Sequence, residues 1–278
     1  MVIKGDEIFV YSIKQQRWKA FKSRNVYVEY NKLINISGRI IFFEGTKVMT
    51  FNKLTKELNV INSMVNELTF YDICAFGSNE IAIAGGSCYN DTIQIYETLS
   101  SCYVYEISSN RFIRIADLNV SRKGCSLVNV CGDLYCIGGH DNNSYLSSIE
   151  KYDRNNNKWE LLDVRLLVAR GYHQSVAHES LIITLGGSYK CNGLSNSIEI
   201  YNTELKNTTL IKTNLRVPRD MFGCCKKNST IFIIMGSLEK STVEEVEILD
   251  ITDPYKPVVN KGGYFPAVNH INTSACTF

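Results

Sequence analysis

Long apolar runs, proline, tryptophan, histidine and net charge are all scarce in this chain of 278 residues, and each scarcity removes a class of protein. No apolar stretch approaches the roughly 20 residues that a membrane-spanning helix needs. The opening MVIKGDEIFVY has neither the basic n-region nor the apolar h-region of a secretory signal, so the expected location is intracellular and cytoplasmic. A formal charge of +2 is too balanced to predict nucleic acid or an acidic membrane as partner. The four histidines, His140, His173, His178 and His270, stand at no zinc-finger spacing from a cysteine pair, and no C-x-x-C occurs. No G-x-S-x-G, H-E-x-x-H or Walker pattern is present. No cofactor, metal or catalytic residue is therefore expected, and the chain reads as a non-enzyme.

What is present is core-forming. The chain is 45% hydrophobic, with 16 Tyr and 12 Phe, enough for one large domain or two small ones. Its ten cysteines fall mostly in apolar, strand-like stretches, where a reduced Cys acts as a small buried residue. Seven N-x-S/T sequons, without an export signal, read as by-products of an Asn- and Ser-rich sequence.

The chain also repeats itself. In LYCIGGHDNNSYLSSIEKYDRNNNKWELL, Trp159 follows Tyr152 by seven residues, across polar turn formers. The same spacing recurs at Tyr11–Trp18, Phe51–Leu58, Tyr105–Phe112, Tyr201–Thr208 and, weakly, Leu249–Lys256. Two strands joined by a tight turn explain it. A second constant of sixteen residues links Arg122 to Gly138, Arg170 to Gly186 and Arg219 to Met235, and reaches Thr69 from Gly85 and Val28 from Glu44. Each such interval holds two alternating strands. A unit is thus four strands, a to d, with fixed a–b and c–d turns. The b–c connection varies: from the second Gly to the next aromatic or apolar mark it runs from six to nineteen residues. Fixed spacing marks structure and variable spacing marks a loop.

Four-stranded units of this length predict a β-propeller. The diglycine that ends strand b, followed by Tyr and then Trp, resembles the Kelch repeat, sharply at Gly85-Gly86, Gly138-Gly139 and Gly186-Gly187 and more loosely at Gly45 and Gly236. The glycines are read as points of close backbone approach, and Tyr11, Trp18, Tyr105, Tyr152, Trp159 and Tyr201 as packing between blades. The expected fold is all-β: a single six-bladed Kelch propeller over residues 1–278. The expected blades are 1–21 plus 267–278, 26–62, 68–116, 121–163, 169–212 and 218–260. The N-terminal strands b to d and a C-terminal strand a would close the ring and remove a free sheet edge.

Antiparallel order puts the b–c and d–a loops on one face, which is the expected binding face. Tyr89, Tyr145 and Tyr189 lie near its loop tips, either as contact residues or as covers for the blade edges. Arg122, Arg170 and Arg219, with Lys123 and Lys190, either form a basic arc for a partner's carboxylate or phosphate or, for the arginines, pair with Asp117, Asp163 and Asp220; His140 is a further candidate for contact with the partner. In detail the chain resembles the C-terminal propeller of the BTB-BACK-Kelch family, especially its poxviral members, and so would be part of a longer chain. That resemblance implies a host protein or peptide held on the loop face. It implies a cullin-based ubiquitin ligase reached only through an N-terminal BTB domain absent from this sequence. Other Kelch proteins bind actin, and a few are sugar-acting or copper-dependent enzymes; the latter need two His and two Tyr at the metal, a cluster that no stretch of this sequence assembles.

Overall fold

The computed structural model describes residues 2–4, 7–12, 17–22, 31–52, 54–55, 57–64, 66–190, 193–238 and 241–264. Every regular element among them is a strand. Five antiparallel four-stranded sheets follow one another along the chain. Sheet 2 comprises Asn31–Ile36, Arg39–Glu44, Lys47–Asn52 and Glu57–Ser63. Sheet 3 comprises Asp72–Ala75, Glu80–Ala84, Cys102–Glu106 and Arg111–Ile115. Sheet 4 comprises Ser126–Val130, Asp133–Ile137, Ser148–Asp153 and Lys158–Arg165. Sheet 5 comprises Gln174–His178, Leu181–Leu185, Ile198–Asn202 and Asn207–Leu210, and sheet 6 Gly223–Lys227, Thr230–Ile234, Glu245–Asp250 and Val258–Tyr264. Sheet 1 has three strands, Val2–Lys4, Glu7–Ser12 and Arg17–Lys22.

The fold is thus an all-β propeller with five four-stranded blades among the described residues, and the expectation of six is corrected. Sheet 1 has no fourth strand among the described residues, and the segment expected to supply it, 267–278, lies outside them. Sheet 1 nevertheless fills the sector between sheets 6 and 2. Phe9 packs with Phe232, Ile234 and Val246 of sheet 6, while Val10, which points the other way, packs with Leu33, Phe42 and Met49 of sheet 2.

The strand pattern explains the packing. Strand b of each complete blade is apolar on both faces, as in LYCI and LIITL, because a blade is covered by a neighbour on either side. Strand d is the outer edge and alternates, as in KWELLDVR. The core accordingly lies between blades. One cluster joins Cys102 and Val104 of sheet 3 to Leu134, Tyr152 and Trp159 of sheet 4. Others join sheets 2 and 3, 4 and 5, and 5 and 6.

The seven-residue spacing is a cross-strand pair. Tyr152 faces Trp159, Tyr105 faces Phe112, Tyr201 faces Thr208, Phe51 faces Leu58 and Tyr11 faces Trp18. The Tyr152 hydroxyl donates to Asn157 Oδ1 at 2.8 Å, and Tyr105 bonds Asn110 in the same way. Both asparagines have positive φ, so each Tyr braces its own c–d turn. Trp159 Nε1 donates to Ala116 O of the preceding sheet at 2.9 Å. Sheet 6 departs from the spacing: Leu249 faces Val259, not Lys256, because its c–d connection is longer.

The diglycines dock one blade on the next. The N–H groups of Gly86, Gly139 and Gly187 donate to the carbonyls of Arg122, Arg170 and Arg219 in the following blade, at 2.8, 2.8 and 2.9 Å. Gly138, at φ +57, leaves no room: a Cβ there would lie 2.6 Å from Arg170 O. Gly132, at φ +96, faces open space. Gly138→Ala therefore carries a steric cost on top of backbone strain, whereas Gly132→Ala carries the strain alone, about 1–2 kcal/mol. Urea unfolding should show Gly138→Ala as clearly the more destabilised; equal losses would contradict the docking role.

Candidate protein-binding face

Three of the variable b–c connections fold into small hairpins: Ser87–Asn90 with Ile95–Thr98, Ser188–Tyr189 with Gly193–Leu194, and Ser237–Leu238 with Ser241–Thr242. In sheet 4 the loop is tied by Asp141, whose carboxylate accepts from the N–H groups of Asn143 and Ser144, and by a His140–Tyr145 bridge. The sheet 3 hairpin leans on this loop through a 2.8 Å hydrogen bond from Thr98 Oγ1 to Asn142 Oδ1.

Four of the residues singled out in the sequence meet in one groove. His140, Tyr145, Tyr189 and Lys190, from the loops of sheets 4 and 5, line a cleft of about 790 Å³ with the d–a segment 166–169. The rings of His140 and Tyr145 stack edge to face with centroids 4.8 Å apart. Leu167, missed in the sequence, is 60% exposed on the same wall. Tyr89 stays on the sheet 3 hairpin, edge to face with Tyr96, and does not join the groove.

The arginines do something else. Arg122, Arg170 and Arg219 are fully buried, so they form no exposed arc. Nor do they pair with the neighbouring aspartates: Asp117 binds Arg114, Asp163 is exposed and Asp220 accepts from the Ser188 hydroxyl. Each arginine reaches into its own blade to a buried glutamate, Glu150, Glu199 or Glu247. Nη1 also donates to the carbonyl of Gly138, Gly186 or Met235, at 2.7, 2.7 and 2.8 Å. The glutamate's second oxygen accepts a d–a loop N–H, from Asn119, Leu167 or Arg216, at 2.7 Å in each case. The signal for these glutamates is the repeat itself: each stands two residues before the Tyr or Leu mark of strand c, in IEKY, IEIY and VEIL. In sheet 3 the bridge from Thr69 to Ser87 matches that from Lys123 to His140, so Leu68, not Thr69, takes the arginine's place.

Two residues beyond Leu68 and beyond each arginine the backbone turns left-handed. Phe70, Gly124, Tyr172 and Met221 all have φ between +50° and +59°. The N–H of Gly124 donates to Phe70 O, that of Tyr172 to Gly124 O and that of Met221 to Tyr172 O, at 2.7, 2.7 and 2.9 Å. This chain of bonds crosses four sheets around the channel mouth and floors a cup of about 360 Å³. His173, in the cup wall, is 1% exposed, and neither ring nitrogen has a hydrogen-bond partner. It occupies the place that Cys125 and Phe222 fill in the adjoining blades, against the diglycines. Among the described residues, no group of three His, Cys, Asp or Glu side chains is placed to share a metal ion. No helix among them is long and apolar enough to cross a membrane.

The family description "Kelch motif" matches residues 121–162, which cover all but the last three residues of the sheet 4 blade. Residues 121–162 thus carry a Kelch motif. It is similar to "Kelch repeat and BTB domain-containing protein 8" of Xenopus tropicalis, 37% identical over 54% of this chain and 27% of that protein. It is also similar to "Kelch repeat and BTB domain-containing protein 2" of Cowpox virus, 28% identical over 51% of the chain and 24% of that protein. "Alpha-scruin" of Limulus polyphemus is 31% identical over 42% of the chain and 13% of its own length. The match therefore spans about a quarter of each Kelch/BTB relative.

Burial and the positive charges of Arg170, Lys32 and Arg122 push the His173 imidazole down to about 3. In the unfolded chain it titrates near ~6.5. Below that pH the unfolded state takes up a proton that the folded state refuses, so stability falls as pH drops from about 6.5 towards 3. His173→Phe, the residue at the same place in sheet 6, should remove about 2 kcal/mol of the stability lost between roughly pH 7 and 5. Urea unfolding at both pH values checks this, and identical losses in the two proteins would contradict it.

Proposed function

We propose that this chain is a protein-binding propeller that holds a target on its b–c and d–a loop face. Within a longer Kelch/BTB protein it would act as the substrate-recognition part of a cullin-based ubiquitin ligase adaptor, in a virus–host setting and in the host cytoplasm. The observation that best supports the binding role is the groove between sheets 4 and 5, where Tyr145, Tyr189, Lys190 and the exposed Leu167 converge. Tyr supplies a large amphipathic surface at low entropic cost, and Leu167 is apolar area left for a partner to cover. The adaptor role is supported by the names of relatives that join Kelch repeats to a BTB domain, one of them from Cowpox virus. The buried arginines have no direct part in it. The second reading, binding to actin filaments, would use an extended charged surface rather than a groove.

The test is affinity capture from host-cell lysate with the wild-type chain and with a Leu167→Ala/Tyr189→Ala/Lys190→Glu variant of equal thermal stability. A specific partner recovered with the first and depleted about tenfold or more with the second is the expected result. Equal recovery would contradict the groove, and co-sedimentation with actin filaments would favour the second reading.

A further inference from the structure

The sheet 4 loop contains a hydrogen bond that only one protonation state of its side chain permits. The N–H of Asn142 donates to Nδ1 of His140 at 3.0 Å. A ring nitrogen accepts only while it carries no proton, so the imidazole is neutral and its proton sits on Nε2. Asn142, at φ +80, also accepts through Oδ1 the hydroxyl of Thr98 from the sheet 3 hairpin, at 2.8 Å. One residue thus ties its own loop to His140 and the neighbouring hairpin to that loop. His140 is a firm post for this. Its backbone exchanges two hydrogen bonds with Lys123, at 2.8 and 3.0 Å, and its ring rests on Tyr145.

The surroundings favour the neutral ring. Burial, then the charge of Lys123, hold the His140 imidazole below its usual value, against the opposing pull of Asp141. The Asp141 carboxylate is committed to the N–H groups of Asn143 and Ser144, at 2.9 and 2.7 Å. Tyr189 and Lys190 of sheet 5 share the cleft with His140, and the d–a segment 166–169 beside them is uncharged. The sheet 3 hairpin brings the neutral Thr98 to the loop, while its carboxylates, Asp91 and Glu97, act on Cys88. Protonation of His140 would therefore turn Nδ1 into a donor facing the Asn142 N–H, and add a positive charge next to Lys123.

We propose that His140 is a proton-sensitive latch: while neutral it holds the sheet 4 loop through Asn142 and docks the sheet 3 hairpin through Thr98, and on protonation it releases both. The latched loop refuses a proton that the released loop accepts near ~6.5, the ordinary value of the imidazole. The latch is thus fully held above that pH and weakens as pH falls below it. Its test needs no partner and so stands apart from the protein-binding reading.

The test is amide hydrogen exchange of the whole chain, read by mass spectrometry over 140–147 and 90–99 at about pH 7.5 and about pH 5 and corrected for the intrinsic effect of pH. Protection in both segments should fall roughly fivefold at the lower pH, the scale of one lost hydrogen bond. In His140→Asn, whose Oδ1 offers Asn142 an acceptor that does not titrate, protection should not change with pH. His140→Phe keeps a ring against Tyr145 without an acceptor, and should show the low protection at both pH values. Thr98→Val should leave the response of 140–147 intact and remove that of 90–99. The titration of His173 acts on all these proteins alike, so the differences between them isolate His140. Wild-type protection that does not change with pH, or an equal fall in His140→Asn and His140→Phe, overturns the proposal.

Discussion

The interaction on which the loop face depends is the buried pair of an arginine and a glutamate, repeated in sheets 4, 5 and 6. The two residues come from the segment leading into strand a and from strand c, and meet where their blade would otherwise bury the unpaired ends of strands b and c. The arginine satisfies carbonyls there, and the glutamate satisfies the N–H groups of the incoming d–a loop. The arginine's own carbonyl, held by this clasp, then receives the diglycine N–H of the preceding blade at Arg122, Arg170 and Arg219. One side-chain pair thus fixes its blade, its loop and its neighbour.

A buried ion pair is costly to desolvate and is tolerable only when both partners are present and their remaining hydrogen bonds are met. The chain carries an internal demonstration. Sheet 3 has Leu68 at the arginine position and Tyr103 at the glutamate position, so neither charge is present. Met49, fully buried, stands at the glutamate position of sheet 2. No complete blade for which both positions are described keeps one charge without the other. The sheet 3 blade, freed of the clasp, carries the long hairpin of Tyr89 and Tyr96.

The sequence reading went far for elements whose geometry is local. The seven-residue spacing foretold the pairing of Tyr152 with Trp159 because a tight turn dictates register. Gly138-Gly139 foretold close approach because only Gly tolerates it. The variable b–c lengths pointed to the face where the groove of Tyr145, Tyr189 and Lys190 lies. The reading failed where a contact spans about 28 residues and crosses two strands. Sequence proximity offers Arg122 the nearby Asp117, whereas Glu150 is its neighbour only after strand c returns to the same end of the blade. Aligning the units on IEKY, IEIY and VEIL would have shown a charge at an otherwise apolar position, always accompanied by the arginine. The channel-mouth cup was not legible, because it is made from four blades and depends on left-handed backbone at residues as unlike as Phe70, Gly124, Tyr172 and Met221.

The account's central claim is that arginine and glutamate act as one unit. The most direct measurement is a double-mutant cycle by urea unfolding in sheet 5, with Arg170→Leu as in sheet 3, Glu199→Met as in sheet 2, and the two together. Each single change leaves a buried charge unpaired and should cost about 3–5 kcal/mol. The double variant should be more stable than either single one, because it removes both charges as sheet 3 does. Losses that simply add would mean that the two side chains stabilise the blade independently, and would contradict the account.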